Sequence, residues 1–373
     1  MAALPGKVST TGGALPGSRR PDHLCASENR PGGFLFTIVV PSCASFGALR
    51  ERRTTTSNCR PKATIMEVAA TIIPIFAIIL LGWAARRRGF MPPEFLGPAN
   101  RLVYYLAIPA MIFRALSRAS LGDEFHGAVL FITLAAAVVA YLTAWGLCRL
   151  QRTAAKRAGV FIQSAGHGNL GYIGLSVAFY YLGESGFVRA SLIAGFLMIL
   201  QNMLSVLALQ AHQAGRPSQD TAGLLKALIG NPVILAALAG ILASAARMPI
   251  PLVAQRSLDI LSGLALPTAL LLIGAALSFR LMRDHFPRVL GSVGIKLVLL
   301  PGLGLLLFHG FRLPPAEYLP GLILLASPTA TVTYVMAREM RGDADFAVAA
   351  ISASTLVSAA TFSVWLTLAA LWG

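Results

Sequence analysis

Residues 166–175 read GHGNLGYIGL, four glycines, a histidine and an asparagine in ten positions. The stretch lies inside an apolar segment, 158–181, which is long enough to cross a hydrocarbon layer about 30 Å thick as a helix. A hydrogen-bonding, helix-breaking decapeptide in mid-membrane has to be accounted for. Free backbone N–H and C=O groups are tolerated there only where they line a polar cavity or are buried in protein.

The membrane setting follows from composition. Hydrophobic residues make up 56% of the chain and charged residues 12%, with mean hydropathy +0.69, whereas a soluble domain carries about a quarter charged residues. From Met66 onward, apolar stretches alternate with short polar connections. Ten spans are predicted, at 67–86, 97–116, 126–148, 158–181, 187–209, 224–245, 257–279, 287–309, 317–337 and 345–371. Ten such runs in series exclude the core helices of a soluble protein.

Residues 1–65 differ, being rich in Gly, Pro, Ser, Thr and Arg and holding Cys25, Cys43 and Cys59. Their apolar patch FLFTIVV (34–40) is too short to span and too far from the N-terminus for an ordinary signal peptide. The expectation is a disordered extension, or a start assigned too early with Met66 the true beginning. The cysteines have no metal-ligand spacing, and Cys148 at a helix end is expected to pack.

Positive charge sets orientation, because Lys and Arg are retained on the cytoplasmic side. Connections after odd-numbered spans, with Arg101, carry fifteen Lys and Arg, among them Arg86, Arg87, Arg88, Arg149 and Arg157; the alternate connections carry six. Both ends are therefore expected outside. An outside start favours Met66, since a longer tail would send nine more positive charges across the membrane. The net charge of +16 is thus topology signal plus tail, not a nucleic-acid footprint.

The chain also repeats itself. IIPIFAIILLGWAARR (72–87) matches GNPVILAALAGILASA (230–245), with Pro74 and Gly82 spaced as are Pro232 and Gly240. One span on, LAIPAMI (106–112) matches LALPTAL (264–270), and Pro109 follows Pro74, as Pro267 follows Pro232, by 35 residues. Two copies of a five-helix unit are expected, 66–210 and 224–373, joined by a cytoplasmic connection at 211–223. Five is odd, so the second copy is inverted, an architecture common among secondary transporters that hold substrate near the midplane. The prolines themselves are expected to act as kinks.

NLGYIGL in helix 4, NPVILAALAGIL in helix 6, LPTALLLIGAALS in helix 7, SPTATVTYVMAREM in helix 9 and STLVSAATFSVW in helix 10 together resemble the auxin efflux carrier family. That family includes bacterial permeases and the plant PIN carriers. The likeness covers nearly all of 66–373. It implies an all-α polytopic membrane protein of ten transmembrane helices, in two inverted five-helix repeats with helices 4 and 9 broken and crossing. It further implies transport of an organic anion, auxin in plants or small carboxylates such as malate or malonate in bacterial members, and a possible homodimer through helices 2 and 7. The short connection between helices 5 and 6 fits a bacterial member.

The break in helix 4 is expected to use Gly166, Gly168 and Gly171 for unusual backbone angles. The N-terminus of its second half would then turn partial positive charge toward an anion. Asn169 matches an asparagine that contacts the substrate carboxylate in the resembled family. Its blander role would be a hydrogen bond to a neighbouring helix. Pro328, Thr329 and Thr333 are expected at the partner break, although threonines in membrane helices usually bond their own backbone. Where PIN-type helix 4 has Pro-Asn and later Gly-Ile-Pro, this chain has Gly168-Asn169 and Gly174-Leu175-Ser176. Where helix 9 commonly has a second proline, it has Thr333.

Lys296 is the basic residue deep inside a span, and such charges are functional by default; snorkelling toward the cytoplasmic face is the competing reading. His167 is a candidate proton carrier or a mere lining residue. No Asp or Glu falls centrally in any span, which weakens the alternative of a cation/proton antiporter of similar fold. An intramembrane enzyme would need a nucleophile with an oriented base, or a metal cluster. Ser164 and His167 share one segment without a third orienting group, so no enzyme, cofactor or metal is expected. The expected partners are a small organic anion and the lipid bilayer, with no nucleic acid.

Overall fold

Two prolines mark where helices widen. A proline inside a helix removes one N–H and pushes its ring against the carbonyl four residues back, and a π-helical turn relieves that contact. In the computed structural model, Pro109 follows a π turn at Val103–Ala107, and Pro301 follows one at Ile295–Leu299. The carbonyl that Pro301 frees, on Leu297, accepts from Trp365 Nε1 at 2.8 Å. Pro320 frees the carbonyl of Ala316, which accepts from Arg189 Nη1 at 3.0 Å. Each frees a carbonyl that a side chain from another helix satisfies.

The structure describes residues 60–119, 126–212 and 232–372, all within a compact unit at 56–373. Residues 1–59, with Cys25, Cys43 and Cys59, lie outside the described residues. So do 213–231, which hold most of the expected 211–223 connection and the start of the sixth span.

Helix α1 is Arg60–Arg87, extending further back than the expected 67–86. Helix α2 runs from Pro93–Leu102 through its π turn to Ile108–Ser117, and α3 is Gly127–Leu150. Helix α4, Ala155–Gly166, stops short; the chain resumes in a π turn, Leu170–Gly174, leading into Leu175–Ala211, together α5. Gly183 kinks α5 with φ 71°, a left-handed backbone that only glycine adopts freely. The expected spans 158–181 and 187–209 flank that kink. Next come α6, Pro232–Ala245, α7, Leu252–Ala276, and α8, Phe279–Gly310. Helices α9, Pro315–Ala326, and α10, Val332–Glu339, share the ninth expected span, and α11 is Ala344–Trp372.

Six of these are long and apolar enough to cross a membrane by themselves, and α6 and α9 are shorter apolar helices. Among the described residues there is no strand. Ile73, Phe131, Leu142, Leu242 and Ile260 are all more than half exposed. A water-soluble protein rarely presents so much apolar surface, whereas lipid accepts it. The protein is a multi-pass, all-helical membrane protein.

Two contacts show how the helices approach. Gly82 of α1 lies under the backbone of Leu271 of α7, so closely that a Cβ there would collide with it. Gly240 of α6 lies under Phe113 and Leu116 of α2, its would-be Cβ 3.2 Å from the Phe113 carbonyl oxygen. Small residues let membrane helices pack backbone to backbone.

Candidate functional site

Helix α4 ends at Gly166; His167 is extended (φ −84°, ψ 104°), and Asn169 (φ −77°, ψ 68°) turns the chain, the Leu170 N–H donating to the Gly168 carbonyl at 2.9 Å. Helix α9 ends at Ala326, and Ser327 is likewise extended (φ −60°, ψ 138°). The two interruptions pair as an antiparallel bridge between Gly168 and Thr329. The Asn169 N–H donates to the Pro328 carbonyl at 2.7 Å, and the Ala330 N–H donates to the His167 carbonyl at 2.9 Å. Backbone groups that two broken helices would leave orphaned are therefore satisfied partly by each other.

Side chains satisfy much of the rest. Gln201 of α5, fully buried, accepts the Gly168 N–H on Oε1 at 3.2 Å and donates Nε2 to the Gly166 carbonyl at 3.1 Å. Thr329 donates Oγ1 to the Ser164 carbonyl at 2.8 Å, and its own N–H donates to Ser354 Oγ at 3.0 Å. His167 Nδ1 lies 3.0 Å from Ser205 Oγ, which lies 2.7 Å from the Tyr141 hydroxyl. Tyr141 in turn donates to the Gln201 carbonyl. Histidine is thus held in a buried hydroxyl chain from α3 and α5.

The glycines act differently from the expectation. None of the expected Gly166, Gly168 and Gly171, nor Gly174, has a positive φ; what Gly166, Gly168 and Gly174 provide is room. A Cβ on Gly166 would strike the Tyr141 ring, and one on Gly174 would lie 2.6 Å from Ser327 Oγ. One on Gly168 would lie 3.3 Å from Lys296 Nζ. Gly171 sits inside the π turn, with Met198 at ordinary contact distance.

Lys296 lies in the α8 π turn and is fully buried. Its ammonium donates to the Leu325 carbonyl at 2.8 Å, in the last turn of α9, where the helix dipole is negative and a cation is favoured. Among the described residues no carboxylate pairs with it. Lys296 reaches the bridge between the two interruptions and does not snorkel.

Asn169 is the N-cap of α5. Its Oδ1 accepts from the Tyr172 N–H at 3.3 Å, and its Nδ2, buried, has no protein partner. Thr333 Oγ1 on α10 and Ser164 Oγ and Gln163 Oε1 on α4 are also buried without a partner. Buried polar groups are paired as a rule, so such orphans call for a ligand or an ordered water.

Of the expected residues, the structure brings His167, Gly168, Asn169, Pro328, Thr329 and Lys296 together at the bridge. It sets Gly171 within the following turn and Thr333 on the half-helix beyond. Sequence reasoning missed Gln201, Ser205, Tyr141 and Ser354. Gln201 and Ser205 are four apart on α5, which places them on one face, and that spacing was the available signal.

A bridged pair of interrupted helices inside an apolar bundle is a transporter arrangement, and comparison with known proteins agrees. The family described as "Membrane transport protein" matches residues 67–366. The chain belongs to that family. The resemblance of its motifs to auxin efflux carriers is borne out. The transporter is 30% identical over 302 residues to a Rhizobium meliloti protein named "Putative malonate transporter", covering 79% of this chain and 93% of that one. It is 25% identical over 300 residues to an "Uncharacterized transporter" of Methanothermobacter thermautotrophicus, covering 79% and 96%. The family and these names point to a transporter rather than an enzyme.

Proposed function

We propose that this protein is a secondary transporter that moves a small carboxylate across the cell membrane by alternating access. The chain would cross ten times, as two inverted five-helix repeats with both ends outside. The observation that carries the reading is Asn169, a buried helix cap whose Nδ2 donor has no protein partner, set beside a lysine without a carboxylate. A carboxylate oxygen would accept from Asn169 Nδ2. The Thr333 and Ser164 hydroxyls offer further donors, and Lys296 and the N-termini of α5 and α10 supply positive potential. An unmade bond at a buried donor costs about 1–3 kcal/mol, and the substrate would recover it. A neutral donor would also release the anion more readily than an arginine fork.

The inverted repeat is supported by the glycine contacts. The offset that carries Pro74 to Pro232 also carries Gly82 to Gly240 and Phe113 to Leu271. Gly82 packs under Leu271 as Gly240 packs under Phe113, which is what a two-fold relation between the units would produce. The reciprocal bonds between 167–169 and 328–330 have the same form. Helices α1, α2, α6 and α7, packed largely on one another, would stay fixed while the bundle holding the bridge moves. The relative's name makes malonate the first substrate to try, and a homodimer through α2 and α7 is part of the same proposal.

The test is uptake of labelled malonate, malate and indole-3-acetate into proteoliposomes. Uptake of one acid by the wild type and its loss in a folded Asn169→Ala variant is the expected result. Uptake that survives the substitution would remove the site, and no uptake of any acid under any ion gradient would remove the substrate class.

A further inference from the structure

A second polar constellation lies at the far end of the first arm of α5. Asn169 caps that arm, and Phe179 follows ten residues later, about 15 Å along a helix rising 1.5 Å per residue. There a cavity of about 450 Å³ is lined by Met111, Arg114 and Arg118 of α2 and its end, Phe179 and Tyr180 of α5, and α7 from Asp259 to Pro267. The distance is half the thickness of a hydrocarbon core, so the cavity opens toward one membrane face if the bridge is central.

Arg114 ties three elements together at this cavity. Its Nη2 lies 2.8 Å from Glu184 Oε1, and its Nη1 lies 3.5 Å from Asp259 Oδ1, which Arg118 also approaches at 3.5 Å. Glu184 directly follows the Gly183 kink, so the 2.8 Å pair joins α2 to the corner of the helix that carries Asn169. The Arg114 Nε is buried and has no protein partner. Nη2 is thus committed to Glu184 and Nη1 more loosely to Asp259, while Nε is left over beside a cavity wall that bears two arginines against one aspartate.

We propose that this cavity is an access site for the transported anion, where a substrate carboxylate takes Arg114 from Glu184 and so releases α2 from the α5 corner. Arginine presents its donors in a planar fork that suits a carboxylate. The incoming group exchanges one carboxylate for another on the same cation. Because Glu184 is more than half exposed in its side chain, water solvates it once displaced. The coupling of anion arrival to loss of an inter-helix tie is what a gate requires. This inference rests on the transport reading but concerns a different site, with a separate readout.

The experiment uses the full chain in liposomes with Cys25, Cys43, Cys59 and Cys148 replaced by Ser and a single reporter, Tyr180→Cys, in the cavity wall. Labelling by a sulfonate-bearing methanethiosulfonate is followed against malonate concentration. Malonate is expected to slow labelling. Arg114→Gln should raise the half-protecting concentration about tenfold or more, the scale of one lost charge-assisted bond. Glu184→Gln, at an exposed position that tolerates change, should lower it severalfold by removing the competitor. Opposite shifts separate a binding contest from structural damage, which would move both variants the same way. Absence of protection, or protection unmoved by either substitution, overturns the proposal. Labelling requires no transport, so uptake with no protection sinks this site alone, while protection with no uptake sinks the carrier reading and leaves this anion site standing.

Discussion

Lys296 Nζ donates to the carbonyl of Leu325, so a π turn in α8 places a cation against the C-terminal end of the broken helix α9. Two facts compete at such a contact. Burying a charge costs several kcal/mol, and the negative end of a helix returns up to about 2 kcal/mol in a partly buried geometry. Stability alone therefore does not explain a lysine there. Lys296→Met keeps the volume and drops the cation. Its thermal midpoint should stay near that of the wild type or rise, while malonate uptake falls at least tenfold. Near-normal uptake by Lys296→Met would show that the ammonium is only a helix cap.

Gln201 should behave in the opposite way. It closes both sides of the α4 interruption, accepting from the Gly168 N–H and donating to the Gly166 carbonyl. Gln201→Leu leaves two buried backbone groups unpaired, at about 1–3 kcal/mol each. A lowered unfolding midpoint in detergent, with lost uptake, is the expected outcome. An unchanged midpoint would mean that the backbone or water closes the break without it.

The glycines can be ranked by what a methyl group would meet. Gly82→Ala and Gly274→Ala press on the backbones of Leu271 and Ile79, which cannot give without separating α1 from α7. Each should destabilise by about 1–3 kcal/mol, the usual scale of overpacking. Gly168→Ala meets the ends of the Lys296 and Leu170 side chains, which can shift, so it should fold normally. Any effect on transport would then report on Lys296. Gly195→Ala, with nothing within 4 Å, is the control, and unfolding midpoints of the four variants test the order.

These contrasts mark where sequence reading succeeds. The interruption at 167–169 was legible because glycine, histidine and asparagine in an apolar run cannot continue a membrane helix unaided. Pro328 marked its partner in the same way. The matched spacing of Pro74 and Pro109 with Pro232 and Pro267 is the sequence signal on which the proposed repeat rests. Contacts between distant helices were not legible. Nothing local to Lys296 says that a π turn will carry it to Leu325, and the spacing of Gln201 and Ser205 gives a shared face but not the partners it meets. Gly166 and Gly168 were explained by backbone angle, when the cause was the approach of Tyr141 and Lys296. That cause exists only after folding.

Asn169 has an observed role as a helix cap and a proposed one as a ligand donor, and one substitution separates them. Its Oδ1 caps α5 by accepting from Tyr172, while its Nδ2 is free for a ligand. Asn169→Ala removes both functions, and loss of the cap alone costs about 1 kcal/mol, so a dead alanine variant could simply be a loosened one. Asn169→Asp keeps an oxygen at the cap and places negative charge near a helix N-terminus, which is favourable. Lys296, against the neighbouring Gly168, offers it a counter-charge. The same substitution deletes the N–H₂ donor and sets a carboxylate where the proposed carboxylate substrate would bind. The aspartate variant should therefore match the wild type in unfolding midpoint to within a few degrees and exceed the alanine variant. Its malonate uptake should nevertheless fall to background. Uptake by Asn169→Asp within threefold of wild type would show that this amide only caps its helix, and the anion would have to be sought elsewhere along the bridge.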